Sequence, residues 1–237
     1  SSLSYNEEQE INRELRSGAM KLLYVSPERL FQQGFLERLE ELNVKLFAVD
    51  EAHCISTWGH HFRPEYKQLH ALKQRFPEVP VIALTATADR TVRGDIGHCL
   101  GLKAPKTFVS SFDRPNLSLA VLPGLDRWKA IERIMARHVG HCGIIYCNSR
   151  ASTEKIAAKL QKIGVKAEFY HAKMDAEDRS RVQDDFIQGK THVICATIAF
   201  GMGIDKSDVR FVIHYNLPGT VEGYYQEIGR AGRDGKP

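Results

Sequence analysis

The sequence predicts an α/β fold used twice, each half a parallel sheet flanked by helices. Three observations carry that prediction. Short, continuous apolar runs recur along the chain, amphipathic stretches separate them, and the same alternation is repeated from residue 117 onward. Strands covered on both faces read as unbroken apolar runs, and parallel pairing requires crossover segments, usually helices, between them.

In the first half the runs are KLLYV (21–25), KLFAV (45–49), VIAL (81–84) and FV (108–109), with FLERLEEL and EYKQLHALKQRF as amphipathic stretches. The second half offers LSLAVL (117–122), GIIYC (143–147), AEFY (167–170), HVICAT (192–197) and RFVIHY (210–215), with helices near 127–137, 152–162 and 176–187. Gly164 and Gly189 follow the last two helices and are placed to stop them, because glycine adopts the left-handed conformation that closes a helix at no steric cost. Between the halves, SSFDRPNL (110–117) contains Pro115, which fixes one backbone angle and disfavours a helix just before it. The expected domains are 1–112 and 113–237.

A chain of 237 residues, 43% hydrophobic and 26% charged, can bury two cores. No apolar run approaches the roughly 18–20 residues that span a bilayer. The opening SSLSYNEEQEINRELRSG has no secretory pattern, so an intracellular protein without membrane association is expected. Five scattered cysteines without a C-x-x-C pair argue against a disulfide framework and a thiolate zinc site. The spacing of His53, Cys54, His60 and His61 fits no zinc pattern either, and zinc is not expected. A formal charge of +4 permits a polyanionic partner without requiring one.

The chemistry is concentrated in VDEAHCISTWGHHFRPEY (49–66). Asp50 and Glu51 follow an apolar run, which puts them at the carboxyl end of a parallel strand, where open α/β sheets bind ligands. An aspartate there can hold Mg2+, and the adjacent glutamate can deprotonate or orient the water that attacks a γ-phosphate. Trp58 and Phe62 then offer faces for unpaired bases, while His60, His61 and Arg63 offer charge to a phosphate backbone. These aromatics follow no helical or strand period, so a loop is expected. In ALTATA (83–88), Thr85 and Thr87 have short hydroxyls able to bridge one element to another. In YYQEIGRAGRDG (224–235), Arg230 and Arg233 are three apart on an expected helix and its glycine-rich exit, with Gln226 one turn earlier. Two guanidiniums on similar faces can clamp a triphosphate.

Taken together, these stretches resemble the RecQ family of superfamily 2 ATP-dependent DNA helicases. VDEAHCISTWGHHFRPEY looks like the Walker B motif, of DEAH type, with its aromatic-rich loop; ALTATA resembles motif III, GIIYCNSR motif IV, ICATIAFGMGIDKSDVRFVIHY motif V and YYQEIGRAGRDG motif VI. The resemblance implies two RecA-like domains, ATP and Mg2+ as cofactors, and 3′→5′ movement on single-stranded DNA with duplex unwinding, in recombination and repair. It implies single-stranded and forked DNA as partners and a monomer, located in cytoplasm or nucleoid in a bacterium and in the nucleus in a eukaryote. Asp50 would hold magnesium and Glu51 would activate water. His53, with Trp58, His60, Phe62 and Arg63, would report bound single-stranded DNA to the ATP site. Thr85 and Thr87 would couple nucleotide state to domain closure, Gln226 and Arg230 would meet nucleotide across the cleft, and Arg233 would be the arginine finger.

Two departures from the family pattern have consequences. Relatives usually carry Asp where this chain has His61, a group that gains charge near neutral pH. DNA affinity is therefore expected to be higher below about pH 6.5 than above it. Binding titrations of wild type and His61→Asp across that range check this, and identical pH-independent affinities would dispose of it. The second departure is the absence of a G-x-x-x-x-G-K-[ST] loop to cradle phosphates. Gly189-Lys190-Thr191 is the nearest match, but Asp184 stands where the first glycine belongs, and the triplet follows a helix and precedes a strand. The adenine-binding and first DNA-contacting motifs and the zinc-binding region that follows motif VI in relatives are missing too. The chain reads as a fragment, with its first RecA-like domain truncated at the N-terminus, and is expected to be inactive alone; further protein partners would act through regions absent here. Two other readings are an RNA helicase or other superfamily 2 translocase, which usually lacks the W-G-H-x-F-R-P-E-Y loop, and a non-catalytic nucleic-acid-binding module that has lost its phosphate loop.

Overall fold

The computed structural model describes residues 5–57, 62–122, 126–201 and 204–237. The chain divides into two compact units, Ser1–Val109 and Ser110–Pro237. Within the second unit Phe112 packs edge-on against Tyr225, with ring centroids 5.5 Å apart. No helix among the described residues is long and apolar enough to cross a membrane.

In the first unit, α1 (Tyr5–Ser17), α2 (Pro27–Leu30) and α3 (Phe35–Glu41) precede β1 (Phe47–Val49). Then come α4 (Pro64–Lys67), α5 (His70–Arg75), β2 (Val81–Ala83) and α6 (Arg90–Cys99). Ser26 caps α2 by accepting from the Arg29 amide, with Pro27 in the first helical position, and Asp89 caps α6 by accepting from the Val92 amide. β1 and β2 pair in parallel, Val49 opposite Ala83. Beneath them Val49, Ile55, Leu69, Leu72, Ile96 and Leu100 form a buried core.

Two apolar runs of this half are not strands. Residues 21–25 carry no strand hydrogen-bond ladder: Leu23 and Val25 pack onto the core while Leu22 and Tyr24 are exposed. The alternation suits a strand, but no strand among the described residues pairs with it, and a strand exists only with a partner. Phe108 and Val109 are likewise exposed and outside any strand. The stretch EYKQLHALKQRF breaks into α4 and α5.

The second unit contains α7 (Arg127–Arg137), β3 (Cys142–Tyr146), α8 (Arg150–Lys162), β4 (Ala167–Tyr170) and α9 (Ala176–Ile187). β5 (Val193–Ala196), β6 (Val209–His214) and α10 (Val221–Ile228) complete it. The four strands are parallel in the order β4-β5-β3-β6. Every residue of β3 and β5 is buried, as expected of central strands covered on both faces, whereas the edge strand β6 is only partly so. LSLAVL (117–122) forms no strand, and Leu119, Val121 and Leu122 are exposed.

Gly164 and Gly189 sit at φ +82° and +73°, their amides donating to Gln161 and Phe186 carbonyls as α8 and α9 close. Lys190 pairs with Asp185 at 3.3 Å. Gly189-Lys190-Thr191 is thus a helix stop with a solvated lysine and not a phosphate cradle.

Candidate active site

The acidic pair is placed by the pairing of β1 and β2, which continues past both strands. The Leu84 amide donates to the Val49 carbonyl at 2.8 Å, and the Ala52 amide to the Leu84 carbonyl at 2.9 Å. These bonds set residues 50–53 beside residues 84–87. Asp50 is exposed and its Oδ1 accepts from the Glu51 amide at 2.8 Å. Glu51 holds a left-handed backbone, φ 48° and ψ 39°, and opens a 3-10 turn over Ala52–Ile55. That conformation costs a non-glycine residue about 1–3 kcal/mol, and such strain is concentrated where a side chain must be aimed.

From Glu51 a polar chain runs inward. Its Oε2 lies 3.3 Å from His53 Nδ1, and the same nitrogen lies 3.0 Å from Thr85 Oγ1. Thr85 Oγ1 donates to the Thr87 carbonyl at 3.3 Å and accepts from the Thr87 amide at 3.2 Å. His53 is only 5% exposed, so its imidazole is held in the core while touching a half-exposed carboxylate on one side and the β2 exit on the other. With the proton on Nδ1, the imidazole donates toward both, so one side chain links Thr85 to Glu51. The DEAH and ALTATA motifs, thirty-odd positions apart in the chain, thus meet through one side chain.

Trp58 and His60, and His61 with them, lie outside the described residues. The ends of their loop are described. The Arg63 amide donates to the Cys54 carbonyl at 3.0 Å, so the loop starts and finishes on the turn that carries His53. The Arg63 guanidinium pairs with Glu28 and lies 5.4 Å from the Tyr66 ring centroid. The Glu28 carboxyl is held below its usual range, first by its own backbone amide and then by Ser26 and Arg63. Phe62 is half-buried, with Lys67 Nζ 5.0 Å from its ring centroid. An anionic ligand approaching Arg63 therefore has to compete with Glu28.

In the second unit, Thr220 caps α10 by accepting from the Gly223 amide, and Gln226 is half-buried two residues before the helix closes at Ile228. Arg230 and Arg233 stand beyond that end, so no shared helical face brings them together. The Arg230 guanidinium packs on Gly201, where a Cβ would come within 2.8 Å of it. Arg230 Nε is buried without a partner among the described residues. Beside it is the Tyr146 phenol, which burial pushes up to about 12 while Arg230 acts in the opposite direction. Still protonated at neutral pH, it donates to the Phe200 carbonyl at 3.0 Å. Arg233 is directed elsewhere: its Nη1 donates to the Ile204 carbonyl and to the Asp205 carboxylate, each at 3.1 Å. Just before them Glu227 meets His214 of β6 at 2.6 Å, and His214 in turn stacks on Tyr146. Neither Tyr146 nor the His214–Glu227 pair was among the residues expected at the site, since nothing in their spacing signals the contact.

Among the described residues no group of three or more His, Cys, Asp or Glu is arranged to hold a metal ion. Asp50 is an exposed carboxylate at a strand end, with Glu51 next to it. That donor set fits magnesium, which takes one or two carboxylates and keeps waters and phosphate oxygens for its other positions.

Comparison with known proteins places this arrangement. Residues 1–94 match the DEAD/DEAH box helicase family and residues 126–235 the helicase conserved C-terminal domain. Over all 237 residues the chain is 48% identical to an ATP-dependent DNA helicase RecQ of Pasteurella multocida. The chain belongs to the RecQ family of superfamily 2 helicases. It spans 38% of the length of that Pasteurella protein. A RecQ-like DNA helicase BLM of Xenopus laevis is 50% identical over 226 residues, 92% of this chain and 17% of that protein. Among solved structures, Saccharomyces cerevisiae Dbp5 bound to RNA and ADP BeF3 superposes with a TM-score of 0.65 at 21% identity, covering 89% of this chain and 56% of that one. Mycobacterium smegmatis helicase Lhr bound to ssDNA and AMP-PNP gives 0.62 at 24%, covering 98% and 32%. At such identities the likeness shows the fold alone, and the fold of this RecQ chain is α/β with RecA-like units, parallel sheets flanked by helices.

Proposed function

We propose that this chain is part of an ATP-dependent DNA helicase that couples ATP hydrolysis to 3′→5′ movement along single-stranded DNA and to unwinding of forked duplexes, in recombination and repair. The observation that carries the reading is the Glu51–His53–Thr85 bridge, set beside an exposed aspartate and on the same turn that anchors the aromatic-rich loop. A hydrolytic carboxylate and a strand-binding loop have reason to share one turn when hydrolysis must depend on whether a strand is held.

In this reading residues 1–112 are the C-terminal part of the first RecA-like domain and residues 113–237 the second. Asp50 would hold the magnesium ion, which when bound neutralises phosphate charge. Glu51 orients and deprotonates the attacking water. Gln226 and Arg230 contact the nucleotide, and Arg233 supplies charge to the phosphoryl group as it transfers. His53, Thr85 and Thr87 pass the state of the loop, with Trp58, His60, Phe62 and Arg63, to Glu51. The phosphate-cradling loop is not among these 237 residues, so the activity belongs to the complete polypeptide, acting as a monomer wherever the cell keeps its DNA.

Steady-state ATP hydrolysis by the complete polypeptide tests the reading. Single-stranded DNA is expected to stimulate turnover, with RNA of matched length and composition far less effective. Equal stimulation by RNA would favour the RNA-translocase reading, and no hydrolysis under either condition would favour a binding module.

A further inference from the structure

The segment before the second sheet is fastened to the loop that carries Arg233. Tyr225 of α10 donates its hydroxyl to the Phe112 carbonyl, starting the contact. Two residues on, Arg114 Nη2 donates to the carbonyls of Ala231 at 2.8 Å and Gly232 at 3.0 Å. Asn116 Nδ2 then donates to the carbonyls of Gly232 and Lys236, each at 2.9 Å. From the other side the Gly232 amide donates to the Val209 carbonyl at 2.9 Å, and Arg210 Nη2 to the Asp234 carboxylate at 2.7 Å. The peptide groups flanking Arg233 on its N-terminal side are thus held through both N–H and C=O. Gly232 sits at φ +56°, and a Cβ there would collide with Asn116 Nδ2 and the Lys236 carbonyl, so only glycine admits this approach.

A loop that follows a helix end and contains three glycines has no secondary structure to hold it. A guanidinium that acts only as charge develops in the transition state must be aimed beforehand, since a misplacement of about 1 Å can cost roughly 100-fold in rate. We propose that Arg114 and Asn116 are positioning residues for Arg233, fixing from the inter-domain segment the loop that presents the arginine. The inference rests on the proposed role of Arg233.

The test is a double-mutant cycle in the complete polypeptide, reading kcat and KM for DNA-stimulated ATP hydrolysis. Arg114→Ala and Asn116→Asp, the second keeping shape while removing both donors, are expected to lower kcat about 10–100-fold with KM for ATP unchanged. Arg114→Lys, which restores a donor, is expected to recover part of the loss. In an Arg233→Ala background the same substitutions are expected to cost nothing further, because the group they aim is gone. Equal losses in both backgrounds would show a general structural role and overturn the inference, as would wild-type kcat for Asn116→Asp beside an impaired Arg233→Ala. Wild-type turnover in Arg233→Ala itself would instead remove the role assigned to Arg233, and this inference with it.

Discussion

Arg233→Ala in the complete polypeptide is expected to lower DNA-stimulated ATP turnover by about 10³–10⁵-fold, the range an arginine finger contributes to phosphoryl transfer. The effect is expected in kcat, with KM for ATP and affinity for single-stranded DNA retained, because the guanidinium acts on charge that exists only as the phosphoryl group transfers. In the structure the side chain is tethered by the Ile204 carbonyl and an Asp205 carboxylate that is 92% exposed. An ion pair that open to water holds its partner weakly, so the guanidinium can be released to a more highly charged ligand. Arg233→Lys is expected to recover little, since a point charge does not reproduce the planar fork of donors. Steady-state kinetics and a DNA-binding titration on the same preparations check both parts.

Glu51→Gln is the second large effect, an expected loss of about 10²–10⁴-fold in turnover, the contribution of a positioned general base. The amide keeps the shape of the side chain and can still meet His53, so the left-handed turn at 48° and the neighbouring Asp50 are left as they are. What disappears is the basicity. Nucleotide affinity is expected to hold while hydrolysis fails, measured by equilibrium binding of a non-hydrolysable ATP analogue beside turnover. A fall in affinity matching the fall in turnover would assign Glu51 to binding instead.

The regular parts of the fold could be read from the chain where side-chain pattern and local stop signals agree. β4 at Ala167–Tyr170, α7 at Arg127–Arg137 and α9 at Ala176–Ile187 fall where the apolar runs, periodicity and Gly189 put them. The runs at 21–25, 108–109 and 117–122 look equally strand-like, yet a strand is defined by hydrogen bonds to a neighbour, and apolar pattern says nothing of whether a neighbour is present. The motifs of the site were legible one at a time, because DEAH, ALTATA and the R-x-x-R pair are contiguous. Their connection was not: it depends on the register that puts Val49 opposite Ala83, which brings His53 to Thr85. The same holds for the two arginines. Three-residue spacing suggests one face only if the helix continues, and α10 closes at Ile228, after which Gly201, Ile204, Asp205 and the Arg114–Asn116 segment decide where each guanidinium goes.

In the proposed function, strand occupancy is passed to the Glu51 carboxylate through His53 and Thr85. Thr85→Val keeps the branched shape and removes the hydroxyl that His53 meets at 3.0 Å. Its most direct measurement is the ratio of ATP turnover with saturating single-stranded DNA to turnover without it, in the complete polypeptide. The ratio is expected to fall toward one in Thr85→Val while DNA affinity stays at the wild-type value. A wild-type ratio in that variant would contradict coupling through His53 and Thr85.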